Sequence, residues 1–467
     1  MVFSSITFLY YFLPLVLVLY FLAPYKFKNF VLLSSSLLFY FYGEPVYTVL
    51  LVISCVSGYL HGLWIERAKK GRYAKVSLIS SVITSVGGLV FFKYTDFFIE
   101  NINRLFNSSI PLLRITLPIG ISFYTFQILS YTIDVYRGNA EAQRNLFNFS
   151  MYVSLFPQLI AGPVVRYTTI EKEILYREHT LEEFAYGVRR FITGLSKKVL
   201  LANNLGELIA ALQNPDEISL ISYWIIGISF ALQVYFDFSG YSDMAIGMGR
   251  MFGFRFSENF NYPFESKSIT DFWRRWHISL GTWFRDYVYI PLGGNRVSLL
   301  KWIRNVIIVW FLTGFWHGAH WNFIIWGLYF AILMIIEKLI LRKYLDKIPV
   351  ILARLYTLFF ILISFVIFNA DGIKSSLNIL SGMLGLNSVP CINSYTLYYL
   401  KSYFIILIIS IIASISLGSK IVVRLGKNKA AQLIVSILEP IGLLLLLILV
   451  TAYLVDGSFN PFLYFRF

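Results

Sequence analysis

The sequence of 467 residues is poor in charge and in cysteine. Charged residues make up 14% of the chain, whereas 57% of the residues are hydrophobic. Soluble domains carry about a quarter charged residues, so this composition excludes an ordinary soluble enzyme. The two cysteines, Cys55 and Cys391, are far apart in sequence and imply no disulfide framework.

Acidic residues are also scarce: 25 Asp and Glu stand against 40 Lys and Arg, which gives a net charge of +15. In a soluble protein such an excess would suggest nucleic acid as a partner. Here the basic residues cluster between apolar runs, which is the positive-inside pattern of membrane proteins. We therefore expect membrane lipids and no nucleic acid as partners. The aromatic content of 18% suits contact with lipid and with the interfacial belts.

Apolar runs long enough to cross a bilayer recur along the chain. They lie near 6–23, 30–42, 45–63, 76–93, 116–133, 147–163, 219–236, 302–316, 321–337, 352–370, 402–419 and 432–453. The sequence therefore predicts an all-α polytopic membrane protein with about 11–12 transmembrane helices. The first run has no basic segment before it, so we expect it to be retained rather than cleaved as a signal peptide.

The loop charges orient these helices. The segments 66–75, 338–347 and 420–429 each carry at least four basic residues and should face the cytoplasm. The loop 371–400 carries only two charges and should lie outside. With these assignments the N-terminus is external, and so is the C-terminal aromatic tail, 456–467.

The portion 165–300 departs from this pattern because its apolar pieces are short and interrupted by charges. We expect re-entrant or interfacial helices on the cytosolic side that line a polar cavity. No internal repeat and no low-complexity linker is visible in the sequence. Residues 1–467 are therefore interpreted as a single integral-membrane domain.

Two histidines, His317 and His320, lie between long apolar runs. A helix from Trp302 reaches His317 after about 15 residues, or roughly 22 Å, which is short of a hydrocarbon core of about 30 Å. The turn at Gly318 should therefore lie within the membrane, surrounded by protein or by a water-filled cavity. An ionisable group at this depth usually has a function, and general-base chemistry suits His317, between a tryptophan and a glycine.

For His320 we expect a buried structural histidine that is bonded to a backbone carbonyl. Two histidines three residues apart could bind zinc, but no cysteine and no HExxH motif supplies further ligands. No metal is expected. His61 and His179 are interpreted as bystanders.

A basic and aromatic segment, Asp271–Tyr287, contains Arg274, Arg275, Trp276 and Arg285. One interpretation is an interfacial amphipathic helix with arginines on lipid headgroups. It does not readily explain His277 or the turn Pro291–Arg296. The other interpretation is that the four side chains hold the phosphates and adenine of an acyl-carrier cofactor at the cytosolic entrance.

A polar segment, Gln233–Asp243, interrupts another apolar run with two carboxylates, Asp237 and Asp243. Buried carboxylates need hydrogen-bond partners. The segment forms either a structural polar network or a group that orients a catalytic histidine or lines the acceptor path.

Five landmarks give the chain a resemblance to the membrane-bound O-acyltransferases. They are Gln158–Pro163, Tyr235–Asp243, Asn259–Pro263, Phe272–Leu280 and Phe315–Ala319, in family order over nearly the whole chain. Within that family the chain resembles the bacterial branch of alginate O-acetylases, peptidoglycan O-acetyltransferases and the teichoic acid D-alanyl transfer protein. The chain length favours the O-acetylase group over the D-alanyl group.

The resemblance implies a ring of helices around a central funnel, with the catalytic histidine in its narrow middle. That histidine maps to His317, and the histidine of the Trp-Arg-Arg-Trp-His segment maps to His277. Relatives often have a small residue at the position of His320, which argues against an essential role for it. The tail, Pro461–Phe467, resembles an aromatic motif that carries an acyl-accepting tyrosine, here Tyr464. The alternative for this tail is an aromatic interfacial anchor.

The expected function is transfer of acetyl from cytosolic acetyl-CoA to a cell-wall or exopolysaccharide acceptor outside a bacterial cell membrane. His317 would be the base, and Tyr464 or a partner would supply the acceptor hydroxyl. A secreted or membrane-anchored esterase-like acetyltransferase would complete the transfer; donor and partner are implied by the resemblance. The alternatives are lipid or protein O-acylation, and a proton-coupled transporter using His277 and His317, for which an inverted repeat would be expected.

Overall fold

The computed structural model describes residues 2–68, 71–160, 162–457 and 463. Within these ranges the chain forms helices and no strand, which confirms the all-α fold. Among the described residues, seven helices are long and apolar enough to cross a bilayer, or up to eight if the bent pair Ser394–Ser402 and Phe404–Ala413 is one span. The chain is a polytopic membrane protein. Other expected spans, such as 30–42 and 147–163, are shorter or broken helices, so fewer apolar spans are seen than the 11–12 expected.

Helices follow one another along almost the whole chain. Those of the first half are α1 (Leu13–Leu22), α2 (Lys28–Gly43), α3 (Pro45–Arg67), α4 (Arg72–Phe106), α5 (Ile121–Arg137), α6 (Leu146–Ser154), α7 (Phe156–Leu159), α8 (Tyr167–Leu175), α9 (Leu181–Ser196), α10 (Asn204–Leu212) and α11 (Leu220–Met251). Those of the second half are α12 (Ile269–Arg275), α13 (Ile278–Phe284), α14 (Leu299–His317), α15 (Trp321–Ile336), α16 (Arg342–Leu345), α17 (Val350–Asn369), α18 (Ile373–Met383), α19 (Ser394–Ser402), α20 (Phe404–Ala413), α21 (Leu417–Leu425) and α22 (Lys429–Asp456). Four π-helical segments extend them: Phe8–Phe12, Lys197–Asn203, Arg285–Tyr289 and Glu337–Leu341.

The helices pack as two compact units. The first comprises Met1–Phe191 and Ser242–Ser257, and the second comprises Ile192–Tyr241 and Glu258–Phe467. The first unit contains a cluster of buried phenylalanine rings: Phe8 from the segment before α1, Phe39 from α2 and Phe156 from α7. Buried side chains of α10, α11, α12, α14, α15 and α17 form one apolar cluster in the second. The interpretation of 1–467 as a single domain, and that of a ring around a funnel, stay predictions.

The expected span at 147–163 is a broken pair of short helices instead. Helix α6 has 9 residues and α7 has 4, and Leu155 between them leaves the helical conformation just before a proline. The side chain of Asn29 donates hydrogen bonds of 2.9 Å both to Asn148, in the first turn of α6, and to the carbonyl of Ile174, beyond the pair. The chain therefore leaves and returns at the same end of α2, as a re-entrant segment does.

A polar stretch of the chain forms a longer continuous helix than its interrupted apolar pattern indicated. Helix α9, the π-helical segment Lys197–Asn203 and α10 follow without interruption and have 16, 7 and 9 residues. At about 1.5 Å per residue this stretch exceeds the roughly 30 Å of a hydrocarbon core. The portion 165–300 therefore contains two long helices, this one and α11, besides short interfacial pieces.

Helices α14 and α15 form a tight antiparallel hairpin with backbones in contact. A Cβ added at Gly314 would overlap the carbonyl oxygen of Phe323, and one added at Gly327 would overlap that of Trp310. Small residues at such a crossing allow close helix packing within a membrane. The hairpin fixes the end of α14, where His317 is the last helical residue.

Candidate active site

His317 is enclosed by aromatic rings at the end of α14. Its side chain is buried, and its ring meets those of Trp316 and Trp326 edge-on at centroid distances of 5.0 Å each. Phe368, on α17, adds a third edge-on contact at 5.4 Å. The next residue, Gly318, has extended backbone, and a Cβ there would overlap the ring of Phe323. The sequence therefore needs a glycine here to bring the hairpin turn so close to the imidazole.

His277 lies between α12 and α13 and is held by an amide. Its backbone is left-handed, with φ +45°, which is uncommon outside glycine and typical of constrained sites. The side chain of Asn259 lies 3.2 Å from His277 Nδ1 through its Oδ1 atom. The same oxygen accepts hydrogen bonds from the Ser279 backbone N–H at 3.2 Å and from its hydroxyl at 2.9 Å.

These contacts define the tautomer of His277. Because Asn259 Oδ1 is an acceptor, His277 Nδ1 must donate, and the lone pair of the neutral ring lies on Nε2. No atom of the described residues hydrogen-bonds to this buried Nε2. Burial lowers the pKa of His277 to about 3, so the ring is neutral at neutral pH. His277 thus presents a hydrogen-bond acceptor to whatever lies beside it.

Trp316 brings the two predicted catalytic histidines together. The ring of His277 lies 6.2 Å from that of Trp316, which is itself 5.0 Å from His317. Phe238, from the polar segment of α11, packs edge-on against His277 at 4.6 Å. Residues far apart in sequence thus form one buried cluster around an indole.

The arginines predicted to bind a cofactor differ in what they contact. Arg274 is exposed, and no described residue bonds to its guanidinium. Arg275 donates to Asp271 at 2.9 Å, and Arg285 donates to both oxygens of Asp286 at 2.6 and 3.0 Å. Only Arg274 therefore offers a full set of donors without breaking an existing ion pair.

Trp276 has a different environment from these arginines. It is 6% exposed and packs against Phe260 at 5.1 Å, Phe272 at 5.4 Å and Phe365 at 5.4 Å. Its ring is part of the apolar core of the second unit, next to the segment that carries His277.

Helix α12, which carries these residues, is anchored at its first turn. The buried carboxylate of Glu337 accepts the backbone N–H groups of Ile269 at 2.6 Å and Thr270 at 3.1 Å. A carboxylate on free N–H groups at a helix start is favourable for hydrogen bonding and for charge. Glu337 thus fixes the orientation of the segment that leads to His277.

The polar segment of α11 is tied down by ion pairs. Asp237 pairs with Lys198 at 2.5 Å, and both side chains are buried. The second oxygen of Asp237 accepts the backbone N–H of Leu463 at 2.7 Å. Tyr464, the predicted acyl acceptor, lies outside the described residues, but its neighbour Leu463 is placed beside α11.

In the first unit, the other carboxylate of this segment, Asp243, pairs with Arg190 at 2.6 Å. Each carboxylate of α11 therefore has a basic partner in the helical stretch 181–212. A polar network is thus present, and in the second unit it also contacts the tail.

The remaining histidines are placed apart from this cluster. His320 is exposed at the N-terminus of α15, which corrects the expectation of a buried structural histidine; the hairpin turn directs it outward. His61 bonds to the carbonyl of Ser57 at 2.7 Å and to the Ser80 hydroxyl at 3.1 Å, as a structural histidine does. Among the residues that the structure describes, no group of three or more His, Cys, Asp or Glu could hold a metal.

Sequence reasoning missed Asn259 and Lys198 as parts of the site. Asn259 is a fully buried amide in an aromatic loop, and a buried amide needs partners, which was the available signal. Lys198 gave a similar signal as a lysine beside an apolar run. Their partners are 18 and 39 residues away, and only the fold shows them.

A polytopic helical chain with two buried histidines around one tryptophan is a membrane protein with a candidate acid–base site in its interior. The model of the membrane-bound O-acyltransferase family, MBOAT, matches residues 139–377. The chain belongs to this family and is an acyltransferase.

Three curated relatives show where in the family it lies. The probable alginate O-acetylase AlgI of Azotobacter vinelandii is 43% identical over 381 residues, which cover 80% of this chain and 76% of that protein. The peptidoglycan O-acetyltransferase of Helicobacter pylori is 37% identical over 425 residues, with 83% and 81% covered. The teichoic acid D-alanyltransferase of Bacillus subtilis is more distant, 31% identical over 229 residues, with 46% and 58% covered. The recognition made from sequence motifs is confirmed.

Proposed function

We propose that this protein transfers an acetyl group from acetyl-CoA on the cytosolic side to a cell-wall polysaccharide or exopolysaccharide outside. The observation that carries the proposal is the buried cluster of His277, Trp316 and His317. It supplies acid–base chemistry at membrane depth in a chain similar to proteins named for O-acetylation of alginate and peptidoglycan. The membrane is then the bacterial cell membrane, as the positive-inside pattern and the bacterial relatives suggest.

His317 is proposed as the general base. It takes the proton of an acceptor hydroxyl while that oxygen attacks the thioester carbonyl, forming the new C–O bond. The tetrahedral intermediate collapses with cleavage of the C–S bond, and the imidazolium returns the proton to the CoA sulfur. The products are an acetyl ester of the acceptor and free CoA, and His317 returns to its neutral form.

His277 is proposed to orient the acceptor rather than to take its proton. Its neutral ring presents Nε2 as an acceptor, and a pKa of about 3 makes it a poor base. When the acceptor hydroxyl donates a hydrogen bond to this nitrogen, the directions of the lone pairs on the hydroxyl oxygen are fixed. The oxygen is thereby oriented for its attack on the thioester. Asn259 keeps the required tautomer in place.

The acceptor hydroxyl is proposed to be that of Tyr464. The hydrogen bond from Leu463 to Asp237 supports this assignment because the tail then meets α11 one residue before Phe238, which packs against His277. Acetyl-Tyr464 would hand its acyl group to a secreted or membrane-anchored esterase-like acetyltransferase, which esterifies the polysaccharide. If the tail is only an interfacial anchor, the partner itself supplies the hydroxyl.

The donor phosphates are proposed to meet Arg274 first. Arg274 has no partner among the described residues, whereas Arg275 and Arg285 would have to share their guanidinium groups with carboxylates. Guanidinium groups suit phosphate because they donate two parallel hydrogen bonds.

The experiment measures acetate released by mild base from the cell surface of a deletion strain. The strain is complemented with wild type, His317→Ala, Tyr464→Phe or the control His320→Ala, which alters an exposed imidazole beside the same hairpin turn. Membrane levels of the variants are matched. We expect loss of acetate with His317→Ala and Tyr464→Phe and normal acetate with His320→Ala.

The other outcomes are equally informative. If only His317→Ala loses acetate, the tail is an anchor and a partner supplies the acceptor. Full acetylation with His317→Ala overturns the catalytic assignment. If acetate appears in the extracted lipid or protein fraction instead of the polysaccharide, the protein is a lipid or protein O-acyltransferase.

A further inference from the structure

Three basic side chains converge on one tyrosine in the first unit. Arg177 Nε donates to the hydroxyl of Tyr20 at 3.1 Å, and His179 Nε2 lies 2.9 Å from the same oxygen. Lys28 Nζ lies over the Tyr20 ring, 4.3 Å from its centroid. Three potential positive charges thus meet at the end of α1 and the start of α2.

The hydrogen-bond directions leave His179 with one nitrogen for a ligand. The Tyr20 hydroxyl donates its single proton to the carbonyl of Phe252 at 2.8 Å. It must therefore accept from both Arg177 Nε and His179 Nε2. With Nε2 protonated, His179 Nδ1 is the nitrogen that gains a proton when the ring becomes cationic.

No carboxylate among the described residues forms an ion pair with Lys28, Arg177 or His179. The carboxylate of Glu183 pairs instead with Arg250 and Arg255 at 2.7 Å each. Burial lowers the pKa of Lys28, with Arg177 adding repulsion, and burial together with Lys28 and Arg177 lowers the pKa of His179. The cluster thus repels itself and lacks the negative charge that would balance it.

The lack of a negative partner is most unfavourable for Arg177, because its side chain is buried. Its side chain is only 5% exposed, yet its described partners are the Tyr20 hydroxyl and the carbonyl of Glu173, together with the ring of Phe254 at 4.4 Å. A buried charge is normally paired, because desolvation of an unpaired ion costs several kcal/mol. A buried guanidinium with neutral partners alone therefore points to an anion that completes its shell.

The residues around this cluster are typical of the depth at which lipid headgroups lie in a membrane. The apolar helix α1 ends at Leu22, and the exposed rings of Phe21, Tyr25 and Phe27 flank Lys28. Aromatic rings next to lysines at the end of an apolar helix are typical of the membrane interface. Basic side chains at this depth attract the anionic headgroups of the adjacent leaflet.

We propose that Lys28, Arg177 and His179 form a binding site for a phosphate group, supplied by the phosphodiester of an anionic lipid or by a soluble phosphate. The site is separate from the His317 cluster and does not depend on the proposed acetyl transfer.

Retention of lipid tests this proposal. The purified protein is placed in nanodiscs of phosphatidylcholine alone or of phosphatidylcholine and phosphatidylglycerol in equal amounts, then released into detergent and weighed by native mass spectrometry. Wild type should retain phosphatidylglycerol and unfold at a higher temperature after the mixed discs. Lys28→Gln and His179→Gln should lose both effects. Lys26→Gln, which removes an exposed lysine outside the cluster, is the matched control and should behave as wild type.

A second arm distinguishes the source of the phosphate. Inorganic phosphate is titrated against the protein in neutral detergent without anionic lipid, with chloride at equal ionic strength as reference. If phosphate raises the unfolding temperature of wild type but not that of Lys28→Gln, the site is supported and its ligand is a soluble phosphate. The proposal is overturned if Lys28→Gln and Lys26→Gln retain the same lipid as wild type, or if neither phosphatidylglycerol nor phosphate stabilises wild type more than Lys28→Gln.

Discussion

Asp237, in the middle of α11, accepts a 2.7 Å hydrogen bond from the backbone N–H of Leu463, 226 residues further along the chain. The same carboxylate pairs with buried Lys198. Leu463 thus lies beside α11 in the second unit, and the next residue of α11, Phe238, contacts His277. Because the donor is a backbone N–H group, this bond fixes the position of Leu463 whatever side chain that residue carries.

Removal of that donor should uncouple the tail. Leu463→Pro deletes the N–H group, and a hydrogen bond to a charged group contributes about 1.5–3 kcal/mol. We expect surface acetate to fall about tenfold or more, since 1.4 kcal/mol corresponds to a factor of ten. Leu463→Ala keeps the N–H group and is the control. Equal acetate in the two variants, at matched membrane levels, would contradict a role for this bond.

Replacement of Asn259 should disorient His277. Asn259→Ala removes the oxygen that accepts from His277 Nδ1 and from Ser279. Displacement of a catalytic group by about 1 Å can reduce a reaction rate by roughly 100-fold. We expect the rate of acetyl transfer to fall by this order. Asn261→Ala truncates an exposed amide in the same loop and should retain activity. Rates are compared in membranes with equal amounts of each variant.

The contact between α14 and α15 should tolerate no extra methyl group. Gly314→Ala would press a Cβ against the carbonyl of Phe323, and overpacking of this kind costs about 1–3 kcal/mol. We expect a lower unfolding temperature and reduced activity, because His317 ends the displaced helix. Gly87→Ala, in α4, meets nothing within 4 Å and should be neutral or stabilising. An unfolding temperature of Gly314→Ala at or above that of wild type would show that the helices can separate without cost.

Acid should destabilise the protein through His277. In the folded state its pKa is lowered from 6.5 to about 3, so the folded state stays neutral where the unfolded state takes up a proton. The stabilising contribution is therefore complete only well above pH 6.5 and is lost as the pH falls towards 3. At about pH 5.5 the loss relative to pH 7 is about 1.3 kcal/mol.

Unfolding temperatures in one detergent at both pH values check this expectation. His277→Gln should show less acid destabilisation than wild type, and His320→Gln should show the same. If His277→Gln and wild type respond equally to acid, His277 is not neutral and buried in the folded protein.

The sequence predicted the parts of this molecule that depend on local patterns. Long apolar runs predicted the membrane class, and the run from Trp302 predicted a helix that reaches His317. At 147–163 the structure breaks the apolar run into two short helices at Leu155, just before a proline. At 181–212 charged residues interrupt the apolar pattern although the chain is helical throughout, because the carboxylate partners of those residues lie on α11.

The sequence also did not show which of the candidate side chains are buried. Trp276 and His320 look alike in a sequence, since each stands beside basic or aromatic neighbours. The structure buries Trp276 among phenylalanines and exposes His320 at a turn. Asn259 could not be assigned because its role depends on a contact with His277 across a loop.

The glycine contact between α14 and α15 also bears on how the chain is made. Two apolar helices joined by the short turn 318–320, with no acidic or lysine residue near the turn, can leave the translocon together as a hairpin. His317 would then enter the lipid already covered by Trp326 of the following helix. The polar ring would in this way be shielded during biosynthesis by the same partner that encloses it in the folded protein.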